Sequence, residues 1–482
     1  TESDNTNVKK IVLPKNEVGK RILELLGVPH IFVSNEYTII ENDDAAVLFN
    51  LLNPNMEYFS EQAKNSEFED ALEIINTNHD IKLRDKSGTF IGARMGRPEK
   101  AKIRKLDGDP HTLFPVGKEG GKLRSFQNTL ESGGIESELP IYHCDKCAKE
   151  TIFSVCEKCS TKTKKMNYCS ICGLTEQARC LHGETSSYKT QKIDIDYYFK
   201  SVLKKLNMGQ YPDLIKGVRG TSNKNHIPEH FAKGILRAKH DVYVNRDGTT
   251  RYDMTQLPIT HFKPAEIGTS ITELKNMGYN KDIHDNELTN PEQVVELKTQ
   301  DIILPKCEDA PELGSDKILY KLSLFIDELL ASFYNIKKFY NLKHETDLIG
   351  HLVVALAPHT SAGIVGRIIG FSKTQGFFAH PLFHAATRRD CDGDEASVTL
   401  LMDALLNFSR QFLPDSRGST QDAPLVITSI LIPTEVDDMA FDLDIADRYP
   451  AEFYEATQYF ELPWNVKIER LANILNSEDS RA

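Results

Sequence analysis

No stretch of the chain approaches the roughly 18 uninterrupted apolar residues that a membrane-spanning helix needs, and Thr1 to Lys10 is polar with no apolar signal region. A membrane protein and a secreted one are both disfavoured, and the expected location is cytoplasmic. Positive charge is not in excess: 58 Lys and Arg stand against 70 Asp and Glu, for a formal net charge of -12. That balance argues against a protein that coats nucleic acid by bulk attraction, because binding phosphate needs local positive charge. Cysteine is scarce outside one window. Seven of the nine fall between Cys144 and Cys180, leaving Cys307 and Cys391 as packing residues elsewhere. Such clustering indicates metal binding in a reducing compartment rather than a secreted disulfide framework. The chain has no internal repeat of fixed short period and no long low-complexity tract. It also lacks an initiator methionine, which suggests a piece of a longer chain.

With 482 residues, 40% of them hydrophobic and 27% charged, several packed units of roughly 100 to 200 residues each are expected. Val18 to Leu26 and Asp43 to Leu52 carry apolar residues at helical spacing, so the leading region reads as a small helical unit. From Ile81 to Phe126 short apolar runs alternate with Gly and Pro, which is strand and loop chemistry. Asp194 to Leu206 reads as an amphipathic helix. Gly217 to Pro264 reads as strands and turns with a hairpin candidate at Asn245-Arg246-Asp247-Gly248, and Ile267 to Leu304 as a helical insertion. The strongest helical period runs from Asp316 to Asn341, between two barrel-like regions.

Charge is unevenly distributed. Arg94 to Lys105 holds six basic residues and one acidic, whereas Thr434 to Asp447 holds six acidic and none basic, the latter reading as a solvated face. Asp390, Asp392 and Asp394 lie at alternate positions around Gly393, so an extended or turning backbone can converge them. Crowded carboxylates repel one another unless a cation neutralises them, and magnesium suits such hard oxygen ligands and also accepts phosphate oxygens. A solvated acidic turn is the plain alternative; an EF-hand loop would require Gly where Glu395 stands. The basic stretch offers Arg94, Arg97, Lys100, Lys102 and Lys105 to phosphate. Pro98 would start a helix carrying Lys102 and Lys105 on one side; a solvent-facing basic turn is its alternative. Arg388, Arg389 and His380 flank the aspartates as candidate substrate contacts.

Cys144-x-x-Cys147 and Cys156-x-x-Cys159 supply four sulfurs for a closed tetrahedral zinc site, and Cys169-x-x-Cys172 with Cys180 and His182 supplies a second set. With four protein ligands neither site has an open position for a reacting water, so both are structural. The Lys-rich segment around them has too few large aliphatic residues to fold without metal.

Five segments together resemble the large subunit of archaeal family D DNA polymerases: Gly92 to Lys105, Lys216 to Gly220, Thr260 to Pro264, Ala357 to Ser361 and Cys391 to Glu395. The likeness is collinear from about Lys15 to Leu471. It implies an α+β multidomain chain with a catalytic core of two double-psi β-barrels akin to multisubunit RNA polymerases, zinc-binding modules and flanking helices. The corresponding division is a helical region at 1–76, a first barrel segment with the basic motif at 77–140 and a zinc module at 141–190. The first barrel would continue with a helical insertion over 191–315, followed by a connecting helix at 316–345 and a second barrel with the aspartates at 346–482. The resemblance further implies a DNA-templated DNA polymerase acting on primer-template DNA and dNTPs with Mg²⁺ and Zn²⁺. Its metal-binding aspartates fall on Asp392 and Asp394, and its active-site lysines on Lys102 and Lys105. A proofreading small subunit and a sliding clamp are the implied partners, although the family's carboxy-terminal zinc module and clamp-binding tail do not appear before Ala482. Asp390 stands where the family is expected to carry Asn, giving an Asp-x-Asp-x-Asp pattern like that of RNA polymerases. A two-barrel RNA polymerase and a non-catalytic zinc-containing DNA-binding scaffold are the competing readings.

Overall fold

The computed structural model describes residues 2–4, 7–25, 28–34, 36–52, 100–221, 224–308, 310–390, 393–409, 424–445 and 449–474. Two compact units divide the chain, residues 1–88 and 89–482.

In the first unit an antiparallel sheet runs in the order Glu2–Asp4, Asn7–Pro14, Tyr37–Glu41, Ile31–Val33. Helices Glu17–Leu25 and Asn42–Leu52 accompany it, and Val8, Leu23, Ile40 and Ala45 form its core. The expected helical unit is therefore mixed α and β. Its helices fall where the periodicity placed them. The strands Ile31–Val33 and Tyr37–Glu41 are only three and five residues long, too short for a two-residue alternation to stand out between helical patterns.

The second unit is organised by a closed six-stranded barrel. Around it run Asp301–Pro305, Phe377–Ala379, Arg251–Pro258, Glu395–Leu400, Leu352–Leu356 and Ala362–Ser372, with the last strand pairing back to the first. Two of the six pairings are parallel, 251–258 with 377–379 and 301–305 with 362–372. All eight residues of Arg251–Pro258 are buried, as expected for a strand covered on both faces. Tyr252, Met254, Ile302, Val353, Phe377, Ala396 and Val398 belong to the main core. Strand Ala101–Arg104 adds to the barrel by pairing with the first half of Arg251–Pro258. Beside it, extended segments form a half-barrel: the Val116 N–H donates to the Val218 carbonyl (2.8 Å), Val218 to Phe114 (3.0 Å), His111 to Lys216 (2.8 Å) and Val244 to Pro110 (2.9 Å).

Strands expected in separate barrels, such as Ala101–Arg104 and Glu395–Leu400, thus share one sheet. Ladder partners 140 to 153 residues apart, as on the two edges of residues 251–255, leave no local signature, so which strands close together is a property of the folded chain alone. Helix Ile195–Leu206 forms as expected, with the Asp194 carboxylate accepting from the Tyr197 N–H at 3.0 Å and Asn207 ending it in the left-handed region. Helix Phe231–Lys239 lies in a region read as strands and turns. Its close approach to the half-barrel depends on Gly234, where a Cβ would meet Thr112 Cβ at 2.5 Å. The long helix expected to reach Asn341 spans Ser315–Glu328 and continues as a π turn through Phe333. The chain then folds back because the buried Asp327 carboxylate accepts from the Phe339, Tyr340 and Asn341 N–H groups at 2.7 to 2.9 Å. The Ile267 to Leu304 segment carries only short helices, Ile271–Asn276 being one, and ends in a barrel strand. Among the described residues no helix is long and apolar enough to cross a membrane.

Candidate functional site

The site is built on strand Arg251–Pro258. On one edge Asp253 lies in register with Lys102, and on the other with Ser397. The Asp253 carboxylate accepts from Arg104 Nη1 at 2.8 Å and from the Ser397 hydroxyl. Two residue pairs further along, the Thr255 N–H donates to the Lys100 carbonyl and the Lys100 N–H to Thr255 Oγ1, both at 2.9 Å. The Gln256 N–H donates to the Asp394 carbonyl at 2.8 Å. Lys100 Nζ then reaches Glu395 Oε1 at 3.2 Å. The basic and acidic segments, remote in sequence, therefore meet across a single strand.

Ala101–Arg104 is a strand and not the first turn of a helix, because its backbone is committed to the ladder with Arg251–Met254. Its two-residue alternation buries Ala101 and exposes Lys102. Lys102 has no ion-pair partner among the described residues. Lys105 follows the strand end and sits over the Tyr243 ring at 4.7 Å, with Asp109 Oδ2 at 3.5 Å. A shared helical face for the two lysines is thereby replaced by a strand position and a turn position.

Gly393 turns the acidic loop in the left-handed region (φ 96°). Asp394 is partly buried with Arg389 Nη1 at 3.6 Å, Arg389 Nε donates to the Glu395 carbonyl at 3.2 Å, and Asp390 is exposed. Arg94, Arg97 and Asp392 lie outside the described residues. Arg388, Arg389 and Asp390 line a cavity of about 800 Å³ that Glu435, Asp437 and Asp438 also line. Part of the acidic stretch therefore borders the same cavity as the catalytic-loop candidates. His380 does not join the cluster: it is 7% exposed and caps helix Pro381–Ala386, its Nδ1 accepting from the Leu382 N–H at 3.2 Å. Burial lowers its pKa to about 3 and that of the neighbouring His384 to about 4.

Three arginines outside the candidate site residues also converge here. Arg104 is held by Asp253, as above. Arg251, 1% exposed, is held by Asp247 and donates to the Pro358 carbonyl at 3.1 Å. Arg246 Nη2 lies 3.5 Å from the His359 carbonyl. The turn expected at Asn245 to Gly248 is present, with the Gly248 N–H donating to the Asn245 carbonyl at 3.0 Å, and it aims Arg246 at the loop Ala357 to Ser361. His359 has its pKa pushed below the ordinary imidazole value by burial, and further by the guanidinium groups of Arg389, Arg104, Arg246 and Arg251. In the sequence Arg104 sits within the basic stretch and Arg246 within the turn at Asn245 to Gly248, whereas Arg251 has only its nearness to that turn as a cue.

Both cysteine groups are assembled. The ligand atoms of Cys144, Cys147, Cys156 and Cys159 lie within 4.8 Å of one another, as do those of Cys169, Cys172, Cys180 and His182. Four thiolates around one zinc stand roughly 3.8 Å apart. The sulfur separations of 3.5 Å for Cys144–Cys159 and 4.0 Å for Cys147–Cys156 fit that spacing. His182 presents Nδ1 to Cys172 at 3.1 Å and to Cys180 at 4.0 Å. Within each group the thiols are pushed in opposite directions: the Thr161 hydroxyl draws Cys159 down to about 6 and the Cys172 N–H draws Cys169 to about 6, while hydrogen bonding to those two sulfurs pushes Cys147 up to about 12 and Cys172 up to about 11. Both groups can hold zinc.

The family model for the DNA polymerase II large subunit DP2 catalytic domain matches residues 208–480, and that for the DP2 central domain matches residues 1–178. The chain belongs to this family. It is 45% identical to the DNA polymerase II large subunit of Archaeoglobus fulgidus over 97% of this chain and 41% of that protein. The namesake subunit of Nanoarchaeum equitans is 41% identical, covering 95% of this chain and 40% of that protein. That of Pyrococcus furiosus is 44% identical, with 94% and 36% covered. The chain therefore spans about two fifths of the length of the curated DP2 relatives it matches.

Proposed function

We propose that this chain is the nucleotidyl-transfer core of an archaeal replicative DNA polymerase, extending a primer 3′-hydroxyl with dNTPs on a DNA template in the cytoplasm. The observation that carries the reading is the junction on strand Arg251–Pro258, where the Lys100 segment and the Asp394 segment are hydrogen-bonded to one backbone and ion-paired to each other. Phosphoryl transfer needs carboxylates for cations and cations for phosphate in one place.

The closed barrel, with its two parallel pairings, is read as a double-psi barrel and the half-barrel as its partner. Asp392 and Asp394 would hold magnesium, with Asp390 beside them; the hard oxygen donors and the left-handed turn at Gly393 suit that ion. When bound, it supplies polarisation of the attacking hydroxyl and charge stabilisation at the leaving oxygen. Lys102, exposed beside Asp253, and Lys105 engage the triphosphate, while Arg94, Arg97 and Lys100 bind phosphates. Arg388 and Arg389 border the acidic loop and orient the substrate. His380 acts through the helix it caps. Zinc at the two cysteine sites braces the strands leading into the half-barrel. In the full-length protein a proofreading small subunit and a sliding clamp are the expected partners.

The test is primer extension by the full-length subunit carrying Asp392→Asn or Asp394→Asn. Extension should be lost while the melting temperature stays unchanged, and near wild-type extension would overturn the assignment. Asp390 gives the loop a third carboxylate, the pattern of an RNA-synthesising enzyme. Faster extension with ribonucleotides than with deoxyribonucleotides would transfer the reading to that class.

A further inference from the structure

We propose that Arg104, Arg246 and Arg389, gathered about the loop Ala357 to Ser361, form the subsite that grips the pyrophosphate portion of the incoming nucleotide. This rests on the nucleotidyl-transfer reading and adds residues and a substrate atom group to it.

The geometry comes from three separate elements. Arg104 ends the strand that carries Lys102, in register with Arg251. Arg246 projects from the turn before Arg251 and touches the His359 carbonyl. Arg389 precedes the acidic loop and lies against Asp394. Arg251 is excluded from the subsite, because it is buried and committed to Asp247 and the Pro358 carbonyl. Its role is to fix the loop on which the others converge. Arg104 and Arg389 keep 27% and 22% of their side chains exposed, so each has donors facing solvent as well as its carboxylate. Several guanidinium groups sharing one space repel one another, and an anion between them removes that cost. The planar guanidinium fork matches phosphate oxygens two at a time, which a lysine ammonium cannot do.

The reaction explains the placement beside Asp394. As the primer 3′-oxygen bonds to the α-phosphorus, the bond from that phosphorus to the bridging oxygen breaks. Its electron pair leaves on pyrophosphate, and the hydroxyl proton passes to solvent. Negative charge therefore grows on the departing group, and cations aimed there are worth more in the transition state than in the bound substrate.

The experiment uses the full-length subunit with Arg246→Ala and Arg246→Lys. Kinetic readouts are KM for dNTP, kcat and inhibition by inorganic pyrophosphate, alongside primer-template affinity and calorimetry with inorganic pyrophosphate. Loss of one charge-assisted contact predicts about a tenfold to hundredfold weaker pyrophosphate inhibition and a matching fall in kcat/KM. DNA affinity should stay within about twofold, and the lysine variant should recover part of the loss. Unchanged pyrophosphate inhibition overturns the proposal, as does weakened DNA binding with pyrophosphate unaffected, which would make the site a backbone contact. If the wild-type subunit extends no primer, the polymerase reading fails, and calorimetry still decides the subsite. Equal pyrophosphate binding by wild type and Arg246→Ala, or none by either, overturns it. Should Arg246→Ala lower the melting temperature, Arg246→Gln, which keeps most of the stem, takes its place in each comparison.

Discussion

Replacing Asp253 tests whether one buried carboxylate couples the basic strand to the acidic one. Asp253 is 6% exposed and accepts from Arg104 on Ala101–Arg104 and from Ser397 on Glu395–Leu400, so it spans three strands of the sheet. Removing one partner of a fully buried ion pair costs about 3–5 kcal/mol. Here Arg104 retains 27% of its side-chain exposure, so water recovers part of that loss and the expectation for Asp253→Ala falls to about 1–3 kcal/mol. Asp253→Asn keeps the shape and a partner for Ser397 but loses the charge, and should cost about 1–2 kcal/mol. The assay is urea unfolding followed by circular dichroism, where the midpoint should move with no change in slope. A double-mutant cycle with Arg104→Gln isolates the pair and should return a coupling of at least about 0.5 kcal/mol. Coupling near zero would show that the two side chains act independently, and the reasoning would fail.

Two further outcomes follow from the structure. Metal analysis of the purified protein should give two zinc ions per chain. Cys156→Ser and Cys180→Ser should each remove one, and the Cys156→Ser protein should become protease-sensitive within 144–159, since such a site contributes folding energy outright. Stability should also decline on mild acidification. His111 and His384 have pKa values of about 4, and His230 and His380 about 3, all lowered chiefly by burial from 6.5. These imidazoles stay neutral in the fold while the unfolded chain takes up protons below about 6.5. Their contribution is therefore complete above that pH and is lost as pH falls toward about 4 for His111 and His384 and about 3 for His230 and His380. Glu328, lowered to about 2 by its hydrogen bond to His240, keeps its contribution above 4.5 and loses it only as pH falls from 4.5 toward 2. Unfolding free energies at pH 6.5 and 5 should differ by at least about 1 kcal/mol, with a smaller difference in His384→Phe. A flat profile would contradict the buried, neutral state of these rings.

The sequence by itself determined what depends on neighbours along the chain. The cysteine pairs, the amphipathic period of Ile195–Leu206 and the turn at Asn245 to Gly248 all rest on interactions a few residues apart. The same range limit explains the errors. Pro98 and a three-residue lysine spacing read as a helix because the competing influence, the ladder to Arg251–Met254, comes from a distant segment. The period that pointed to Asn341 ran past the real helix end because the Asp327 carboxylate captures backbone N–H groups only once the chain has turned back. Tertiary structure alone decided that the basic and acidic segments lie on opposite edges of one buried strand, that His380 is a cap, and that Arg246 reaches the His359 loop. Strand pairing and burial join residues whose separation in sequence carries no record of their distance in space, so the composition of the site is set by closure of the barrel.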